Sequence, residues 1–504
     1  RDALAAWAAV ARITFTEVTD SATVAGDIRL AFSDAVGAEN LAHAYLPFDD
    51  PVAGDVWLGP DLDEADFDPG AAGHFVILHE LGHAAMGFLD VSEDVGLGGA
   101  FLPIALDSNQ YTVMSYYVHE DDLTFGTDPF GNEDHPTTPM WLDIQAAQAV
   151  YGANMAFNAG NTIYRWDPGE TIYMTLWDGG GTDTIDWSNQ SRAATIDLRT
   201  GKWNSLGPTL DLGDGIRTNE NLIIYRGVVI ENAKGGAGAD RITGNGADNL
   251  LAGNGARDTL KGGAGDDVLV GGAGDDRLEG GKGDDTYVPG TGADTLIEAD
   301  RNGSDEVRTE ASFTLPTFVE RLRLAGSGDV DGVGNAGANT IVGNLGDNAL
   351  FGLGGADDLI GGRGRDLLVG GAGADDVRYL SRADGGKVAT NVTRFAAGVE
   401  GDEVSDFVLG VDRFVFKASA FDPDGVIGPG QVVTGRSFST ISGSFDGTNP
   451  GTNANHDAGL ATFVFSLADG TLYYDRDGDA PGYTVIAEIG DATLQARGVI
   501  IAGS

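Results

Sequence analysis

Residues 235–288 read GGAGADRIT, GNGADNLLA, GNGARDTLK, GGAGDDVLV, GGAGDDRLE and GGKGDDTYV, six units of nine residues in unbroken register. A second run at 334–378 reads GNAGANTIV, GNLGDNALF, GLGGADDLI, GGRGRDLLV and GGAGADDVR. The shared pattern is G-G-x-G-x-D-x-U-x, with U a large apolar residue, the signature of a parallel β-roll. The first six positions form a turn whose glycines reach backbone angles closed to other residues. The last three form a short strand that buries its middle side chain: Ile242, Leu251, Leu260, Leu269, Leu278 and Tyr287, then Ile341, Leu350, Leu359, Leu368 and Val377. A flexible Gly/Asp linker would not keep an apolar residue at every ninth position. The sixth-position carboxylates are Asp240, Asp258, Asp267, Asp276, Asp285, Asp357, Asp366 and Asp375. With the carbonyls of Gly235, Gly238, Gly262, Gly265, Gly271, Gly274, Gly280, Gly283, Gly361, Gly364, Gly370 and Gly373 they offer the hard oxygen ligands that calcium prefers, so several calcium ions are expected. Asn249, Asn339 and Asn348 take the sixth position in weaker units.

Outward from the arrays the texture changes. Residues 289–333 lose the register but keep strand-like pieces, DEVRTEASFTL and VERLRLAG, and read as an irregular β connector. Residues 153–234, with TDTIDWS and ATIDLRTG, read as the β-rich start of the same stack. Residues 379–504, with RFVFKAS, ATFVFSLADGTLYYD and VIIA, predict a β-rich closing unit. Its Asp475, Asp477 and Asp479 lack the glycine and distal glutamate placement of a helix-loop-helix calcium loop and read as an acidic hairpin turn. In residues 1–152, DALAAWAAVA, GHFVILHELGHAAM and PMWLDIQAAQAVYG predict three helices, the last stopping at Gly152. ITFTEV, DIRLAF and GDVWLG predict strands, the last as a sheet edge, so an α+β domain precedes a long β extension.

Composition narrows the function. The chain has 504 residues, 77 acidic and 30 basic, for a formal charge of −47. Such a surface repels phosphate backbones and anionic lipid heads, which excludes nucleic acid and membrane surfaces as expected partners. Cysteine is absent, ruling out disulfides, thiolate zinc sites and thiol catalysis. No apolar run reaches membrane-spanning length, while 42% hydrophobic content suffices for real cores. Arg1 opens the chain without a signal-peptide pattern, so a processed or trimmed form is expected. A G-x-S-x-G elbow and a phosphate loop are both missing.

His79-Glu80-Leu81-Gly82-His83 is H-E-x-x-H on the second predicted helix. The i, i+4 spacing puts both imidazoles on one face, where they can bind one zinc ion. Glu80 then stands where it can take a proton from an activated water. Gly87 follows as a chain reversal, Asp90 lies three residues beyond it, and Thr112-Val113-Met114-Ser115-Tyr116-Tyr117 sets a methionine in a turn with a tyrosine two residues later.

With these motifs, in this order and ahead of the repeats, the sequence resembles the serralysin family, zinc endopeptidases of the metzincin group that carry calcium-binding RTX repeats. The resemblance implies a metzincin-like catalytic domain in 1–152, a parallel β-roll at 153–378 and a C-terminal unit, 379–504, holding an uncleaved secretion signal. It implies His79 and His83 as zinc ligands, Glu80 as general base, Met114 as the packing methionine beneath the metal and Tyr116 as the group that stabilises the oxyanion. Implied partners are protein or peptide substrates, a type I (ABC-transporter) secretion route and a proteinaceous inhibitor, in a bacterial protein that is secreted, extracellular or cell-surface associated. The family motif, H-E-x-x-H-x-x-G-x-x-H, has its glycine seven residues after the first histidine and its third ligand ten after. Here Gly87 is eight after and Asp90 eleven after, as if one residue were inserted. An extra residue turns a helix by about 100°, which a single π-bulge could absorb. Asp90 is then the expected third ligand, with His74, His119 and His135 as substitutes. The chain before the zinc helix is shorter than in the family, which implies a missing N-terminal part or propeptide. The competing reading is a catalytically impaired, protease-like RTX surface or matrix protein.

Overall fold

The computed structural model describes residues 1–19, 26–33, 36, 42–47, 52–60, 62, 67–91, 102–103, 106–117, 134–212, 215–300 and 302–381, and beyond these the strands at 388–389, 402–404, 413–417, 438–441, 462–466, 471–475, 483–489 and 499–502. Two compact units divide the chain, Arg1–Gly263 with Ala273–Asp275 and Ala264–Gly272 with Asp276–Ser504.

The first unit opens with helix α1 (Asp2–Val10), an alanine-rich segment that buries Ala3, Trp7 and Val10 on one face. The Trp7 indole N–H donates to Leu78 O (3.2 Å), tying α1 to α2 (Ala72–Met86). The third helix, α3 (Trp141–Tyr151), stops at Gly152, whose φ of 78° suits glycine at a helix end. Asp143 closes its first turn by accepting the Met140 N–H at 2.8 Å.

Two strand expectations are corrected. ITFTEV forms no strand: Ala11 bridges Ala153 and the Arg12 N–H donates to Gly152 O (2.9 Å), so the chain leaving α1 spends its backbone groups on the end of α3. GDVWLG is not an edge. Its strand, Val56–Leu58, lies between Leu30–Phe32, parallel to it, and Ala42–Ala44, antiparallel. Val56 and Leu58 are buried, as a central strand over a helix requires.

Beyond the helices, this unit also holds a stack of parallel β coils. Ile163–Tyr164, Thr184–Asp186, Asn232–Lys234 and Leu250–Gly255 pair on one side, and Thr195–Asp197, Arg241–Thr243 and Thr259–Ala264 on the other. Leu251 faces Ala233 and Leu260 faces Ile242, so two nine-residue units make one coil.

In the second unit the parallel stack runs Thr286–Thr291, Glu306–Thr309, Arg321–Leu324, Thr340–Val342, Asp358–Ile360, Asp376–Tyr379, Arg413–Lys417 and Val499–Ala502. The connector without nonapeptide register is therefore stacked as regularly as the second array. Every apolar position of both arrays lies in the solenoid core, each fully buried except Val377, which is 3% exposed. Thr462–Ser466, Thr471–Asp475 and Tyr483–Ile489 form antiparallel hairpins near the C-terminus. Asp477 and Asp479 lie outside the described residues. No helix among the described residues is long and apolar enough to cross a membrane.

Candidate functional site

On α2, buried His79 and half-buried His83 point their rings at one place, and each ring's Nδ1 faces a backbone carbonyl, Val113 O at 2.8 Å and Phe88 O at 2.7 Å. Those bonds assign the proton to Nδ1 and leave both Nε2 lone pairs facing inward. The two Nε2 atoms are 3.2 Å apart, and Asp90 Oδ1 lies 3.1 Å from one and 3.2 Å from the other. Three acceptors at such separations repel one another unless a cation lies between them. A tetrahedral ion with bonds of about 2.0–2.1 Å spaces its ligands by about 3.3–3.4 Å, close to this triangle. Asp90 Oδ1 is buried, with the two imidazole nitrogens as its near polar neighbours. The donor set of two imidazoles and a carboxylate fits zinc. Without a metal, a proton takes the cation's part: burial opposes charging His83, but contact with Asp90 outweighs it and its pKa is raised.

The chain absorbs its extra residue at the end of α2. Gly87, at φ 69°, turns its N–H to both Gly82 O and His83 O, and the Phe88 N–H also returns to Gly82 O (3.0 Å). The bond from Gly87 to Gly82 spans five residues, the wider closure of a π-turn. It re-aims the reversal so that Asp90 reaches the histidines, and the Val91 N–H then pins it to Met114 O (3.3 Å).

Met114 is 2% exposed and its sulfur packs on Gly82, where any Cβ would collide with it. The sequence reading did not single out Asp143, which holds this turn. It accepts the Thr112 hydroxyl (2.6 Å) and the Val113 N–H (2.8 Å), so Val113 O is held where His79 needs it. Burial pushes the Asp143 pKa up to about 6, against those bonds. Its only sequence signal is an acidic residue in the first turn of α3. Glu80 is buried beside the histidines, and burial raises its pKa although His79, His83 and His43 pull it down. The Tyr116 ring is half-exposed, with its centroid 5.5 Å from that of His79.

Two of the substitutes are elsewhere. His74 Nε2 faces Thr137 O at 3.2 Å, and His135 stacks on Phe75 with its pKa lowered by burial to about 4. His119 lies outside the described residues. Among the described residues, two groups of side chains converge closely enough for a metal: His79, His83 and Asp90, and Asp285, Glu298 and Asp305.

In the arrays, the sixth-position side chains form columns. The N–H of Asp240 donates to Asp258 Oδ1 (2.7 Å), that of Asp267 to Asp285 (2.8 Å), that of Asn339 to Asp357 (2.8 Å), that of Asn348 to Asp366 (2.8 Å) and that of Asp357 to Asp375 (2.9 Å). The second oxygens of Asp285 and Asp357 are buried and accept no hydrogen bond. Glycine lines the cradle: a Cβ at Gly271, Gly352, Gly361 or Gly370 would strike the carboxylate of its own unit. These are donors and space for a hard cation. Asp240 differs, since its oxygens accept the N–H groups of Ala194 (2.7 Å) and Gly236 (2.6 Å).

A family model described as Peptidase M10 serralysin C terminal matches residues 141–320, and the RTX calcium-binding nonapeptide repeat matches 333–368 and 351–379. The chain thus resembles serralysins over residues 141–320 and carries RTX repeats. It is 31% identical over 270 residues to Metalloprotease AprA of Pseudomonas entomophila (strain L48), covering 49% of this chain and 53% of that protein. It is 35% identical over 254 residues to Serralysin A of Dickeya chrysanthemi (47% and 50%) and 34% identical over 264 residues to Serralysin of Photorhabdus luminescens (48% and 51%). The chain spans about half the length of the curated relatives it matches.

Proposed function

We propose that this chain is a secreted, calcium-stabilised zinc metalloendopeptidase with a metzincin-like catalytic domain in residues 1–152. The observation that carries the reading is the convergence of His79, His83 and Asp90 beside a buried Glu80. His79, His83 and Asp90 would hold the zinc ion. When bound, zinc lowers the pKa of water toward neutrality and polarises a peptide carbonyl.

The protein's own groups do the rest. Glu80, with its pKa raised, takes the proton from the attacking water and passes it to the leaving amine. The Tyr116 hydroxyl, on the open side of the site, donates to the developing oxyanion. A substrate strand would pair along Ala42–Ala44, a sheet edge whose His43 is close enough to act on the charge of Glu80. Calcium loading of the roll would follow export by a type I route, because cytosolic calcium is too scarce to fill weak extracellular-type sites. Protein substrates and a proteinaceous inhibitor are the partners this reading implies.

The test is cleavage of an unfolded protein with calcium and zinc saturating, comparing the chain with Glu80→Ala. Activity should fall by about 10²–10⁴-fold. Equal, negligible activity in both would favour the protease-like calcium scaffold.

A further inference from the structure

The first nonapeptide array ends at Val288, but its column of carboxylates continues. The Asp267 N–H donates to Asp285 Oδ1 at the array's regular step of 18 residues. The Asp285 N–H donates in turn to Asp305 Oδ1 (2.8 Å), 20 residues on, and the Asp305 N–H to Glu320 Oε2 (2.9 Å), 15 further on. Asp305 thus does for the connector's first coil what a sixth-position aspartate does inside the array, without belonging to any repeat.

A third carboxylate closes on this pair. Glu298 follows the strand Thr295–Ile297, and its ligand oxygen lies within 4.8 Å of those of Asp285 and Asp305. It is held there by the Tyr287 hydroxyl, which donates to its carboxylate, and by the N–H of Gly281. In the array's first unit the equivalent N–H, that of Gly236, goes to Asp240 Oδ2. Here Glu298 draws that N–H away, and Asp285 Oδ2 is left fully buried with no hydrogen bond. Asp305 is 1% exposed. Oxygens on opposite sides of a calcium ion are separated by about 4.6–5.2 Å, twice the usual calcium–oxygen distance, so the cluster has the right span.

We propose that Asp285, Glu298 and Asp305 form a calcium site outside the nonapeptide pattern, which clamps the last coil of the first array to the first coil of the connector. Only the choice of ion rests on the calcium reading of the arrays. Tyr287, at a position where the other units of this array carry leucine or isoleucine, is a positioning residue that orients Glu298.

The test is calcium stoichiometry of the full chain by equilibrium dialysis and atomic emission, comparing the parent with Glu298→Gln. The expected result is one equivalent fewer in the variant, with its circular dichroism in calcium unchanged. An unchanged count in the folded variant overturns the proposal, whereas a parent that binds no calcium at all overturns the reading of the arrays instead. Should Glu298→Gln not fold, the parent and Tyr287→Phe are loaded with terbium and excited through tyrosine. Emission should drop by one site's share in Tyr287→Phe, and equal emission overturns the site.

Discussion

The turns at Asn348 and Asp357, in consecutive units of the second array, close in opposite ways. Asn348 accepts the Asn344 N–H (2.9 Å) with its oxygen and donates its amide to Val330 O (2.7 Å) and Asn344 Oδ1 (3.1 Å). Asp357 accepts the Asn339 N–H with one oxygen and leaves the other buried with no donor. Asn249 and Asn339 follow the first pattern, donating to Glu231 O (2.9 Å) and Val319 O (3.2 Å). Between Asn348 and Asp357, exchanging one oxygen for a nitrogen decides whether the turn satisfies itself or needs a cation, because a buried charge without a partner is costly.

The largest expected effect is global. Removing calcium with a chelator should abolish most of the far-UV β signal of residues 160–378, and adding it back should restore the signal. An unchanged spectrum would mean that the aspartate turns close like the asparagine ones. The difference can next be inverted at one position. Asn348→Asp should bind one calcium ion more than the parent when calcium is supplied, read by dialysis, and lose about 1–3 kcal/mol of stability in limiting calcium, read by melting. Equal melting in limiting calcium would break the distinction.

Acidity offers a third, smaller lever. Burial pushes the Asp357 pKa up to about 6, against the Asn339 N–H and helped by Asp375, so the calcium-free folded form holds a proton that the unfolded chain releases near pH 4. Its contribution is full below the unfolded value and is lost as pH rises through about 6. Calcium-stripped protein should therefore regain more far-UV β signal at pH 4.5 than at pH 7.5, while calcium-loaded protein should melt higher at pH 7.5 than at pH 4.5. The smallest effect concerns backbone strain. Ala256 takes a repeat glycine's place at φ 67°, a left-handed angle that disfavours a side chain. Ala256→Gly should gain up to about 1 kcal/mol in a denaturant titration in calcium, and no gain would mean that the turn is already relaxed.

What could be read from sequence follows from how locally each feature is encoded. The roll repeats every nine residues, so its buried positions are visible without a partner in view. The zinc-helix histidines lie one turn apart, and Gly87-x-x-Asp90 keeps its own spacing, so the candidate ligand was legible. How the extra residue is absorbed was not, because it depends on the Gly87 N–H reaching two carbonyls at once. The exposed edge at Ala42–Ala44 depends on strand order, which three short apolar runs leave open. Asp305 and Glu320 enter the carboxylate column at 20 and 15 residues, off any period, and only the stacked coils bring them into line.

Each aspartate in that column divides its work. One oxygen grips the backbone of the coil before it, and at Asp285 and Asp357 the other is left open in the turn. An ion that fixes the second oxygen also stiffens the grip of the first, so adjoining sites do not fill as strangers. A calcium titration followed by circular dichroism is therefore expected to show a threshold, with assembly over a narrow concentration range instead of tightening by degrees.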